Sequence, residues 1–218
     1  MTPDYDRAAT LAMETLIRNQ VTGTPVDSLS ILMRHPGVRV ISFTNFATQA
    51  GIERRDLVPM FGGNQDAATF HLGTEIDDVR YVVVYNMRLP YEIIWRGIAR
   101  ELGHIVLGHD GQTRPSAVRL EEAMTFAHHL ISPRPVLQML REAFPLTINV
   151  LTDTTGCSDD CVDGLRQIPG THVDPALNRE VRKLFSKGIR EYIRFHREQR
   201  EDRSHVLDLG AYMEGYEE

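Results

Sequence analysis

The sequence predicts an α+β fold, and two observations carry that prediction. Runs rich in β-branched and aromatic residues at 38–43, 68–72 and 81–85 read as strands, set apart by Gly-, Pro- and Asp-containing turns. On either side of them the apolar residues recur with a period near 3.6. Three strands among helices describe an α+β arrangement. With 218 residues and 42% hydrophobic content, the chain can bury one good core and a second small helical unit.

In chain order, Thr2 is read as the cap of a first helix, with Pro3 in its first turn and Ala8, Leu11, Ala12, Thr15 and Leu16 on one face. Gly23-Thr24-Pro25 breaks it. Asp27 caps a second helix through Leu29, Leu32 and Met33, which Pro36-Gly37 ends. After the strand at 38–43, residues 50–58 predict a short helix before Pro59, and Phe61-Gly62-Gly63-Asn64 a turn. The strands Ala68–Leu72 and Tyr81–Tyr85 are joined by an acidic turn from Glu75 to Asp78. The second is apolar almost throughout, as a strand covered on both faces would be.

The stretch Leu89–His109 (LPYEIIWRGIARELGHIVLGH) reads as a helix entered after Pro90 and stopped near Gly108. Ile94, Ile98, Leu102 and Ile105 form its core stripe. Ile93, Gly97, Arg100, His104 and Leu107 line another face, where Gly97 leaves room for a close neighbour. Arg100-Glu101-Leu102-Gly103-His104 is one residue from H-E-x-x-H, in which two histidines one turn apart hold Zn²⁺ and the Glu polarises its water. Arg100 stands where the first histidine would. Ser116 is read as the cap of the next helix, Ala117–Ile131, which carries Glu121, Glu122, His128 and His129 and ends at Ser132-Pro133.

Three blocks resemble the ImmA/IrrE family of zinc metallopeptidase-like proteins: YVVVYN (81–86), ARELGHIVLGH (99–109) and EEAMTFAHHLISP (121–133). The resemblance runs from the first helix to about residue 168. It implies a zincin-like domain with a small sheet and an active-site helix, expected over 1–133, followed by a helical extension over 134–218. It also implies zinc, a cytoplasmic regulatory role often tied to mobile elements, and a repressor-type protein as partner or substrate. By the same resemblance Glu101 is the catalytic Glu and His104 a zinc ligand, while the other two ligand positions hold Arg100 and Leu120. A guanidinium has no lone pair for a metal and stays charged, and one imidazole is a poor zinc site.

Rescue would need Glu121, Glu122, His109 or His128 as substitute ligands. Each residue turns a helix by roughly 100°, so Glu121 and Glu122 do not point where Leu120 points, and His109 is off the His104 face. The simpler expectation is that Arg100 pairs with Glu121 or Glu122, leaving a salt-bridged cleft. Two function classes follow: a partner-binding protein with a degenerate metal site, or an active metallopeptidase cleaving a regulatory protein.

The remaining residues narrow the partners. His128 and His129 read as solvent-facing or as satisfied hydrogen-bond donors, and Trp95 as core. Val136 to Leu151 has helical periodicity, and a Gly-containing break leads to a segment 159–168, a helix-turn-helix outline. That segment carries Asp159, Asp160 and Asp163, which argues against DNA reading. Asp174-Pro175 starts a long helix with Leu177, Val181, Leu184, Gly188, Tyr192 and Phe195 as its apolar stripe and a basic stripe opposite; an acidic end, 208–218, follows. The net charge of −6 opposes wholesale nucleic-acid binding. Cys157 and Cys161 are too few for a disulfide framework, and neither a membrane span nor a signal peptide is expected, which points to the cytoplasm.

Overall fold

The computed structural model describes residues 2–53, 55–56, 66–76, 78–109, 115–158 and 170–213, with the side chains of 74–76 and 199–213 left outside the description. Among the described residues are eight helices and a three-stranded mixed sheet. Helix α1 spans Tyr5–Arg18, α2 Ser28–Met33, β1 Val38–Ser42, α3 Phe43–Ala50, β2 Ala67–Ile76 and β3 Val79–Tyr85. Helices α4 (Tyr91–Val106), α5 (Ser116–Ile131), α6 (Arg134–Ala143), α7 (Ile148–Thr155) and α8 (Pro175–Met213) follow.

Asp4, not Thr2, caps α1, its side chain accepting the Arg7 N–H, and Asp27 caps α2 through the Ser30 N–H. Ser116 is the first residue of α5, behind Pro115. The helix α3, capped by Ser42 and ended by Gly51 at φ 65°, was not foreseen. Part of the predicted 50–58 helix, the turn at 61–64 and the second half of the helix-turn-helix outline lie outside the described residues. The 136–151 periodicity divides in two, because Phe144 is extended ahead of Pro145 and Thr147 caps a new helix, α7.

In the sheet β3 is central, parallel to β1 and antiparallel to β2. Its side chains alternate between two cores: Tyr81 and Val83 join the main apolar cluster, while Val84 meets Phe43 and Ala47 on the other face. The α4 stripe Ile94, Ile98, Leu102 and Ile105 is buried in the main cluster. The same cluster continues through Leu130 and Leu140 to Val181, Phe185 and Ile189 on α8. The buried stripe of α8 thus steps by four from Val181, and Phe195, assigned to that stripe from the sequence, is 55% exposed. Trp95, expected in the core, is half-buried under Tyr91.

Candidate functional site

Between β2, α4 and α5 lies a cleft of about 740 Å³, lined by Thr69 and His71 from the strand, Glu101 and His104 from α4, and Arg119 and Leu120 from α5. Arg100 is buried behind this lining, against Glu101. Its Nη1 and Nη2 donate to the two Asp66 carboxylate oxygens at 3.0 and 3.1 Å, and Nη2 also donates to the Ala67 carbonyl at 2.9 Å. Nε and Nη2 donate to Glu101 Oε1 at 3.0 and 2.7 Å. All donor atoms of the guanidinium therefore have acceptors, as a charge 7% exposed requires.

Burial opposes the charge on Arg100, but Glu101 and Asp66 beside it hold its pKa above the ordinary guanidinium value. Burial likewise pushes Glu101 above the usual carboxylate range, against the pull of Arg100. Asp66 reaches the guanidinium because Gly97 has no side chain: a Cβ there would stand 2.7 Å from Asp66 Oδ2. The room that the sequence reading attached to Gly97 is thus occupied by a carboxylate. Glu121 and Glu122, the expected partners of Arg100, are turned away from it. Tyr5 donates its hydroxyl to Glu121, and the fully buried Glu122 accepts the Asp4 N–H at 2.8 Å. The 100° rotation per residue explains this, since Leu120 is the residue that faces the cleft.

A second polar chain runs beside the first. Helix α4 closes with the Gly108 N–H on the Ile105 carbonyl and the His109 N–H on the His104 carbonyl, a Schellman motif with Gly108 at φ 69°. The left-handed glycine folds His109 back over the helix, so its Nδ1 lies 2.9 Å from His104 Nδ1 and its Nε2 3.0 Å from Glu122 Oε2. His109 was expected off the His104 face; that expectation assumed a continuing helix, and the chain has already left it. The Glu122 carboxylate accepts from His109 Nε2–H, and across the 2.9 Å gap one Nδ1 donates to the other. Burial, together with His109, Arg100 and Arg119 nearby, lowers the His104 pKa to about 3. Arg119 braces the turn by donating Nη1 to the His109 carbonyl at 3.1 Å.

A scan against protein-family models, a search of curated proteins and a search of solved structures each return no match to this chain.

The residues present can be tested against a zinc ion by donor chemistry. At the three positions that the resemblance assigns to ligands stand a protonated Arg100 with each nitrogen engaged, His104, and a Leu120 that is 45% exposed and has no ligating atom in its side chain. That set does not fit a zinc tetrahedron. His128 lies away from the cleft lining, and His129 is buried, with its Nε2 3.2 Å from the Thr171 hydroxyl: of the two expectations for it, the hydrogen-bonded one holds and the solvent-facing one does not. The sequence reading missed Asp66, Asp4, Tyr5 and Arg119, and Thr69 and His71 of the lining. Only Gly97, one turn before Arg100, carried a signal for any of them.

Proposed function

We propose that this chain is an ImmA/IrrE-type domain in which an internal salt bridge replaces the metal chemistry, and that its cleft binds a protein or peptide partner without cutting it. The observation that carries this reading is Arg100, buried between Asp66 and Glu101 at the position of the missing histidine. A fixed cation there neutralises the carboxylates a metal would otherwise face, and it opposes a second cation. In support, the three blocks of the resemblance fall on β3, α4 and α5, the elements packed around the cleft. The cleft is bordered by β2, an edge strand of the sheet, where an extended partner segment can add backbone hydrogen bonds. Among the described residues no helix is long and apolar enough to cross a membrane.

One observation favours the second reading, a metallopeptidase. The Nδ1 atoms of His104 and His109 converge, and Glu122 orients His109 as an outer carboxylate orients a metal-bound imidazole. These two histidines would hold a metal once a third donor joined them.

Metal content per chain, measured on protein purified without a His tag and reconstituted with zinc, separates the two. The expected result is no bound zinc in the wild type and uptake by the Arg100→His/Leu120→Glu double variant. Near-stoichiometric zinc in the wild type, with cleavage lost in Glu101→Gln, would overturn the binding-protein reading.

A further inference from the structure

Helices α6 and α8 enclose a second groove, of about 500 Å³, on a face apart from the cleft. Its floor is apolar, from Met139, Ala143 and Ile193, and its rims are cationic. Apart from Arg182, the lining residues of α8 recur at 179, 183, 186, 190, 193 and 197, in steps of four and three, the spacing of a helix seam that receives another helix. Arg182 is paired with Glu142 at 2.6 Å, whereas Arg179, Lys183, Arg190 and Arg197 make no ion pair among the described residues. This is a basic surface on a chain whose net charge is −6.

The matching acidic partner follows in the sequence. Residues 175–200 hold eight Lys or Arg against three Glu, and residues 201–218 hold one Arg against six Asp or Glu. The second segment also has Val206, Leu209 and Met213 at i, i+3 and i+7, an apolar stripe suited to a groove floor. As far as Met213 the backbone runs on past the groove of its own chain. Helix α8 is continuous from Pro175 to Met213, which sets Asp208 about 27 Å beyond Arg190 along the axis.

We propose that a second copy of this chain fills the groove, with the two α8 helices antiparallel and the acidic segment of each lying on the basic stretch of the other. The charge changes sign near residue 200, so a two-fold axis there pairs both halves at once and closes the assembly as a dimer. The apolar floor and the Glu142 wall suit an acidic amphipathic helix better than a phosphate backbone, which is held by cationic and amide groups.

Sedimentation of the full chain tests this. A dimer is expected at low salt and should dissociate as salt screens the pairing. Lys183→Glu/Arg190→Glu and, separately, Asp208→Lys/Glu214→Lys should each weaken self-association at least about tenfold. An equimolar mixture of the two variants should restore a heterodimer, because every reversed groove then meets a reversed segment. Circular dichroism and thermal unfolding of each variant confirm that the fold is kept. A chain that stays monomeric at every salt, a dimer indifferent to both variants, or a mixture that fails to re-associate overturns the proposal. So does a monomer that binds a single-stranded oligonucleotide through Lys183 and Arg190, which would make the groove a nucleic-acid surface.

Discussion

Arg100 illustrates how far a residue's chemistry can be read without its neighbours. Its presence in RELGH excludes it as a metal ligand from the sequence alone, since a guanidinium has no lone pair. Its partner was not legible: Asp66 lies 34 residues upstream, and no periodicity links a residue ahead of a strand to one on a helix. Removing the cation leaves two carboxylates buried, a larger loss than a surface ion pair would cause. Arg100→Met should therefore destabilise the fold by about 3–5 kcal/mol in chemical denaturation. Arg100→Lys should recover only part of this, because an ammonium lacks the planar fork that grips Asp66 and Glu101 together. A loss below about 1 kcal/mol for Arg100→Met would mean that water reaches both carboxylates.

At the scale of elements, type and order were largely legible and termini were not. The apolar stripe of α4 is buried as its spacing required, and its end at Gly108 was marked by the glycine. The capping geometry that returns His109 to His104 was invisible, because it depends on two backbone hydrogen bonds and not on composition. Gly103 makes the packing of α4 on α5 testable. A Cβ there would lie 3.0 Å from both the Ala123 carbonyl oxygen and Phe126 Cδ1. Alanine brings a helix-propensity gain of about 1 kcal/mol, against roughly 1–3 kcal/mol for forcing two packed helices apart. Gly103→Ala should lower stability despite the better propensity, and a raised thermal midpoint would show that α5 moves away freely.

For the molecule as a whole, one apolar cluster joins α1, the sheet, α4, α5 and α8, and buried histidines tie its stability to pH. Burial first, then His128 and Arg134, lowers the His129 pKa from 6.5 to about 4; burial and Arg96 lower His128 similarly. The folded chain holds them neutral while the unfolded chain protonates near 6.5, so as pH falls the unfolded state binds protons first. Their contribution is fully present above 6.5 and is lost as pH drops towards about 4. Thermal midpoints measured across that range should fall with pH, and His129→Gln should flatten part of the fall. An unchanged acid limb in that variant would remove His129 from this account.

What the sequence by itself determined here is local: which stretches form helices and strands, where Gly108 stops the central helix, and that Arg100 and Leu120 offer a metal nothing. Those follow from periodicity, capping chemistry and donor atoms, all of which act within a few residues. The tertiary structure alone decided the pairings. Asp66 reaches Arg100 through the gap at Gly97, Glu122 faces His109 and not Arg100, and α8 turns Val181, Phe185 and Ile189 inward while its basic residues line a groove. Buried charges take whichever partner the packing brings within hydrogen-bond reach, and that choice is made only when distant segments meet.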